Sequence, residues 1–357
     1  MNKAILALPF ALAACGITPS GSLIELDTKS VPARRATVIA DGCTLDSWQL
    51  ETLESYSAKA VIDEVVLLCL VPHADGTVGP SDGSAQSDLS GVVGRLQSMG
   101  YRVTLGASFV TDNGYVFDGN ETANELESAA WIDEVASAIA SLAASADGVD
   151  LDLEQLPARA RADVTRLVAT LSPKLRPKRQ LSVFLPPSTV SPSDVPGGDA
   201  FDVASLSAYV DRFRVMTLDY SGAQPGPTID SGWAVDAVRF AQQSTAPAAV
   251  DVAFPLYGND FTLSSTEDVR LTTYLEARGL ADAHDVIPER SATQELILDW
   301  TDDQKRAHEL WYDDADSTLV TLGAWSESTL PISVGVVFYG FGAEDPALWD
   351  ALARAEQ

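Results

Sequence analysis

From about residue 35 onward, short apolar runs alternate with longer segments in which apolar residues recur every three or four positions. Runs of the first kind suit strands, and spacing of the second kind suits amphipathic helices. Eight strand candidates follow one another: Thr37–Asp41, Glu64–Pro72, Arg102–Ser108, Gly148–Glu154, Gln180–Leu185, Arg214–Tyr220, Asp251–Tyr257 and Ile332–Tyr339. Most are continuous in Val, Leu and Phe, as parallel strands covered on both faces must be. Helices are expected between them. Ala123–Ser145 carries Leu126, Ala130, Ile132, Val135, Ile139 and Leu142 on one face; Arg161–Leu171, Trp233–Ala241 and Asp316–Trp325 read alike. A closing helix is expected at Pro346–Arg354, with Asp345 as its N-cap.

Alternation of strand and helix with no change of composition predicts one α/β domain built on a parallel sheet. No Gly-rich phosphate loop follows the first strand, as an open nucleotide-binding sheet would require. The expected architecture is therefore a single (β/α)8 TIM barrel over residues 35–357, with an elaborated loop between its seventh and eighth strands. That loop, Gly258–Pro331, holds a turn-rich stretch (Thr262–Asp268) and a β-like piece (His308–Tyr312), and suits a small subdomain over the active face.

Composition narrows the partners more than the fold. The 357 residues, 46% of them hydrophobic, suffice for one large barrel. Lys and Arg number 23 against 51 Asp and Glu, a formal charge of -28. Such a field disfavours nucleic acid and anionic lipid surfaces and suits neutral polymers. At the N-terminus, Lys3 precedes an apolar run, Ala4–Ala14, too short to span a membrane as a mature helix. The run ends in Leu12-Ala13-Ala14-Cys15-Gly16, which resembles the bacterial lipobox. That resemblance implies a signal peptide over 1–14, lipidation of Cys15, a tether over 15–34, and export to the cell envelope; Gly16 after the cysteine implies the outer membrane in a Gram-negative cell. An ordinary signal cleaved after a small residue is the alternative. Cys43 and Cys69 are read either as a disulfide or as buried thiols.

The chemistry concentrates in Asp147-Gly148-Val149-Asp150-Leu151-Asp152-Leu153-Glu154. Strict alternation puts Asp150, Asp152 and Glu154 on one strand face, about 7 Å apart from neighbour to neighbour. Inside a barrel they would line the axis and end at the C-terminal mouth, where such folds do chemistry. Crowded carboxyls in a low dielectric cannot all ionise, so one should hold the proton that a general acid needs. A solvated acidic edge strand and a Ca²⁺ site are the competing readings. His73, His284 and His308 have no metal-ligand spacing and read as surface or capping residues, so neither a metal nor a cofactor is expected.

Those eight positions also match the D-G-x-D-x-D-x-E signature on the fourth strand of the family 18 glycoside hydrolases, which include chitinases, endo-N-acetylglucosaminidases and spore-cortex-lytic enzymes. Further stretches resemble the same family: His73–Val78 after the second strand, Met216-Thr217-Leu218-Asp219-Tyr220-Ser221-Gly222 at the sixth, Phe254–Gly258 at the seventh, His308–Asp314 with Ser317 before the last helix, and Gly335–Tyr339 at the eighth. The resemblance implies hydrolysis of a glycan containing β-linked N-acetylglucosamine, with Glu154 as proton donor and the substrate's own acetamido oxygen as nucleophile. By the same resemblance Asp152 orients the acetamido group, Asp150 supports Asp152 from below, and Asp219 acts from the sixth strand. Met216, Tyr220, Tyr257 and Tyr339 are the expected substrate contacts, while Asp147 fixes the turn into the strand. The sequence departs from the family at Leu218, where a tyrosine is usual, and at Tyr339, where a tryptophan is. Tyr220 is expected on the same strand face as Leu218, where it could replace the lost hydroxyl. Trp48, Trp233 and Asp112–Tyr115 are further candidates for a glycan groove. The expected partner is an N-acetylhexosamine oligosaccharide or polysaccharide, met by a monomer. A glycan-binding protein without turnover, motivated by Leu218, and an unrelated barrel or metal-dependent protein in which the motif match is coincidental stay as alternatives.

Overall fold

The computed structural model describes residues 35–81, 86–111, 116–264, 269–328, 330–331 and 333–355. The expected signal peptide, Cys15 and tether lie outside the described residues, as do Asp112–Tyr115, the second half of the turn-rich stretch, and Ile332. The described strands are β1 Ala36–Asp41, β2 Ile62–Pro72, β3 Val78–Pro80, β4 Arg102–Ser108, β5 Gly148–Asp152, β6 Gln180–Leu185, β7 Arg212–Val215, β8 Ala249–Pro255, β9 Gly258–Thr262, β10 Val269–Thr272, β11 Glu289–Arg290, β12 Leu296–Thr301, β13 Ala307–Tyr312 and β14 Gly335–Tyr339.

Eight of them, β1, β2, β4, β5, β6, β7, β8 and β14, pair in parallel in that order, and β1 bonds both β14 and β2. The sheet therefore closes into a (β/α)8 barrel, and the eight expected strands are its staves. β3 folds back antiparallel along β2. Apolar side chains between barrel and helices form the main core, including Leu53, Val93, Ile132, Leu167, Phe213, Val238 and Trp349.

Strand ends differ from the sequence reading where the mouth requires it. β5 stops at Asp152, and β7 at Val215 rather than Tyr220. After Val215 the amides of Thr217 and Leu218 bond carbonyls two residues back, and Asp219 turns into the left-handed region at φ 53. Local bonds thus replace the ladder, and Tyr220 is not a strand residue. The helix expected over Ala123–Ser145 is two, Gly119–Leu126 and Ala129–Leu142, because Ser128 caps the second by accepting from the Trp131 amide. The closing helix starts at Leu348, later than expected; Asp345 lies before it, taking the Ala347 amide with one oxygen and the Ala315 amide with the other.

Between β8 and β14 the chain builds more than one extra strand. β9 to β13 form a five-stranded antiparallel sheet in the order β10-β9-β13-β12-β11. The helix Tyr274–His284 packs on it through Ala277 and Ala281 against Leu298, Leu310 and Tyr312. His308, expected at the surface, is buried in this sheet with Nδ1 3.0 Å from Asp260. Cys43 and Cys69 are buried thiols, the first donating to the backbone carbonyl of the second at 3.2 Å.

Candidate active site

The barrel interior is built in storeys, each set by the period-2 alternation of its strands. At the bottom Asp251 is enclosed by Arg35 and Arg212. Next, the fully buried Arg214 of β7 reaches Asp150 of β5 at 3.1 Å and Glu64 of β2 at 3.1 Å, while Thr104 donates to the same Glu64 oxygen at 2.5 Å. Burial pushes Glu64 up, but the Arg214 guanidinium and the Thr104 hydroxyl outweigh it and hold the carboxyl at about 2. Arg35 and Arg212 serve Asp251, which leaves the single Arg214 guanidinium shared between Glu64 and Asp150. Burial accordingly raises Asp150 despite Arg214.

Above this polar storey lies an apolar one made of Ile39, Val66, Phe184, Ala253 and Val337, with Met216, Leu218 and Tyr339 packed on top. It separates the charged interior from the mouth and lowers the dielectric beneath the rim carboxyls. Leu218 belongs to this storey, so its side chain continues the apolar seal and offers no hydrogen-bond donor to the cleft.

The rim gathers the titratable groups. Asp152 ends β5, buried, with Oδ2 accepting from Ser108 Oγ at 3.1 Å. Its Oδ1 is buried with no hydrogen-bond partner among the described residues. Burial first, and the neighbouring Glu154 carboxyl second, push Asp152 well above the carboxylate range. Glu154 stands two residues on, where the chain has left the strand, and Gln155 behind it is in the left-handed region at φ 56. Burial and the repulsion of Asp219 lift Glu154 to about 7. A carboxyl at that value is still largely protonated in mildly acid solution, which is the condition for donating a proton.

Asp219 faces it across the mouth as an ordered acceptor. Tyr257 Oη donates to both its oxygens at 3.1 Å, and Asn259 Nδ2 donates to Oδ1 at 2.9 Å. Tyr257 and Tyr339 meet edge to face with centroids 6.3 Å apart. Burial drives both phenols well above their usual value, so they remain donors throughout neutral pH. Two non-glycine residues in the left-handed region, Gln155 and Asp219, thus flank the one cleft, as strained backbone often does at functional sites.

The cleft encloses ≈ 480 Å³. Asp152, Glu154, Met216, Asp219, Tyr220, Tyr257 and Tyr339 all line it, so the structure brings together every expected site residue of the barrel except Asp150, which lies one storey below. Tyr220 arrives from the turn rather than from a strand, is 46% exposed, and packs on Trp233 with centroids 5.2 Å apart. Trp233 lines the cleft; Trp48 does not and leans on Phe341 instead. Asp147 holds the entry to β5 by accepting from the Val103 amide and from Gln97. A separate cavity of ≈ 290 Å³ behind the β6 loop contains none of the four carboxylates.

Sequence reasoning missed Asn259, Ser108, Arg214 and Leu271. Asn259 follows the Leu256-Tyr257-Gly258 stretch directly, but nothing local says that β9 turns it back onto Asp219. Leu271 of β10, 59% exposed, brings the inserted sheet to the cleft wall.

Comparison with known proteins places this geometry. Residues 119–325 match the model of the glycosyl hydrolases family 18. Over 176 residues the chain is 26% identical to the cortical fragment-lytic enzyme of Bacillus subtilis (strain 168), covering 48% of this chain and 40% of that one. The chain spans less than half the length of the curated relatives it matches. Among solved structures it is similar to the spore cortex-lytic enzyme SleL of Bacillus cereus, with a TM-score of 0.76 and 18% identity over 91% of this chain and 75% of that one. A chitinase from Chromobacterium violaceum aligns with a TM-score of 0.74 and 20% identity over 90% of this chain and 98% of the other.

Proposed function

The chain belongs to glycosyl hydrolases family 18, and from that membership together with the mouth geometry we propose that it hydrolyses glycans containing β-linked N-acetylglucosamine by substrate-assisted, retaining catalysis. The observation that carries the reading is a carboxyl raised to about 7, Glu154, at the rim of the barrel beside two further carboxyls. Glu154 gives its proton to the glycosidic oxygen as the bond to the anomeric carbon breaks. The substrate's acetamido oxygen closes on that carbon to form a cyclic oxazolinium ion, so no protein nucleophile is needed. Water then opens the ring and gives its proton to the Glu154 carboxylate, restoring the acid.

Asp152 serves this sequence from its buried place. Its partnerless Oδ1 is available to accept from the acetamido N–H, which holds the acetamido oxygen against the anomeric carbon and takes up part of the positive charge of the oxazolinium ion through that hydrogen bond. Asp150 and Arg214 set the potential beneath it. Asp219, fixed by Tyr257 and Asn259, both raises Glu154 and offers an oriented acceptor to the sugar. Tyr339 and Met216 form the floor, and the Tyr220–Trp233 pair gives one wall an aromatic face for a pyranose ring.

We further propose that the chain works at the cell envelope, held by a lipid on Cys15, with the 15–34 segment as tether; the lipobox-like sequence supports this. A second reading, glycan binding with little turnover, is favoured by Leu218, whose apolar contacts leave the acetamido carbonyl without a donor at that point. Release of a chromophore from a chitobiose glycoside and from its de-N-acetylated counterpart tests the proposal. Cleavage of the acetylated compound alone is expected. Equal cleavage of both, or tight binding with no cleavage, overturns substrate-assisted hydrolysis, the latter in favour of the binding protein.

A further inference from the structure

The inserted sheet does more than wall the cleft. Glu295, at the head of β12 and 2% exposed, points a carboxylate at Thr228 in the segment that follows β7. Its Oε1 accepts both the Thr228 amide at 2.7 Å and the Thr228 hydroxyl at 2.6 Å, and its Oε2 accepts from Thr293 Oγ1 at 3.1 Å. Thr228 in turn accepts the Tyr220 amide on its carbonyl at 3.0 Å. Tyr220 is the residue next to Asp219. The same sheet touches Asp219 again through Asn259 of β9, which pairs with β13, itself paired with β12. The 219–228 turn is therefore clamped at both ends by one rigid antiparallel sheet.

A second carboxyl shares the clamp. Asp313 Oδ2 lies 3.5 Å from the Thr228 hydroxyl that Glu295 already holds. The hydroxyl has one proton to share between Glu295 at 2.6 Å and Asp313 at 3.5 Å, so two buried carboxyls crowd a single donor. Burial first, and the facing Glu295 second, push Asp313 well above the usual range, in keeping with this arrangement. The other groups facing the pair are Asp230, Asp314 and Ser317, with Arg290 neutralising Asp314 from the far side. Asp230 and Asp314 each cap a helix of the barrel. None of these residues reaches the cleft.

We infer that Glu295, assisted by Asp313, is a positioning residue for the reaction: it holds Thr228 and thereby fixes Asp219 and Tyr220 opposite Glu154. The inference rests on the proposed hydrolytic role of that site. It assigns the insertion a structural share in the chemistry, since without the clamp the turn keeps the Gly222 amide on the Asp219 carbonyl at 2.8 Å, and the Asp219 side chain keeps Tyr257 and Asn259, but Thr228 no longer anchors the Tyr220 amide. The groups around Glu154 that would feel a displaced Asp219 are Asp152 on β5, Tyr257 after β8 and Tyr339 on β14.

Glu295→Ala and Glu295→Gln in the full chain, with Thr228→Val as a third variant, test this. The alanine variant loses the acceptor and is expected to drop kcat at least tenfold with a smaller change in KM, and to move the alkaline limb of kcat/KM to lower pH. The glutamine variant keeps an oxygen for both Thr228 donors and is expected to retain most of kcat and the wild-type limb. Thr228→Val, which loses only the hydroxyl, is expected to fall between them. An alanine variant with wild-type kcat and limb, or a glutamine variant as damaged as alanine, overturns the assignment. Hydrogen exchange at the Tyr220 amide reads the clamp without turnover: it should accelerate at least tenfold in Glu295→Ala and not in Glu295→Gln. Unchanged exchange in the alanine variant overturns the inference even where the wild type cleaves no acetamido sugar.

Discussion

Asp219→Asn isolates the electrostatic part of the mechanism. Asparagine keeps an oxygen for Tyr257 and Asn259 but removes the charge that opposes ionisation of Glu154. Glu154 stands at about 7 against an ordinary 4.5, with burial the larger cause and Asp219 the second. The share of Asp219 is thus less than half of the rise, which caps the fall at about one pH unit. Because the acid must be protonated to work, activity is present below the Glu154 value and lost as pH climbs through it. The alkaline limb of kcat/KM should sit near 7 in the wild type and about one pH unit lower in the variant. At pH 7 the protonated fraction then falls from about one half to about one tenth, so the limb shift alone costs roughly fivefold there and almost nothing at pH 5. Initial rates on a chromogenic N-acetylglucosamine oligosaccharide from pH 4 to 9 give both limbs. A limb that stays put, or moves upward, refutes the assignment of Glu154 as an acid tuned by Asp219.

Arg214→Met leaves Glu64, Asp150 and Asp251 buried around an apolar chain, and urea unfolding should show a loss of about 3–5 kcal/mol. Gly119→Ala would drive a Cβ into the Gln155 carbonyl, where backbone has nowhere to move, so turnover should fall with the Glu154 turn displaced while glycan affinity changes less. Glu154 also predicts a pH dependence of stability. Its folded value lies above the unfolded one, so its contribution is full below about 4.5 and disappears as pH rises to about 7. Glu154→Gln should accordingly gain in Tm relative to the wild type as pH rises across that window, which differential scanning fluorimetry can follow. Glu64, held at about 2, acts with the opposite sign and should make the barrel lose stability as pH falls from 4.5 toward 2.

The barrel was legible because parallel strands covered on both faces must be apolar along their length, and two strands, β4 and β6, coincide with their apolar runs. The carboxylate row was legible for the same reason inverted: acidic side chains on alternate positions of an otherwise apolar run have no bland place in a closed barrel. The ends of β5 and β7 were not, since Gln155 and Asp219 adopt left-handed backbone that ordinary residues seldom take and no glycine announces. The five-stranded insertion was mostly hidden. Its strands are short, and the β9–β13 pairing that joins its hairpins brings together segments distant in sequence, so only His308–Tyr312 stood out. The contacts that shape the site from afar, Asn259 on Asp219 and Glu295 on Thr228, depend on that pairing and carry no local signal.

Glu154 as the proton donor is the centre of the proposed mechanism. The direct measurement is the steady-state rate of the full chain and of Glu154→Gln on an N-acetylated chitooligosaccharide with a poor leaving group, which needs protonation, and on one with an acidic leaving group, which needs little. A drop of about 10²–10⁴ is expected on the first and a much smaller one on the second. Equal losses on both substrates, or a variant as active as the wild type on the first, would contradict it.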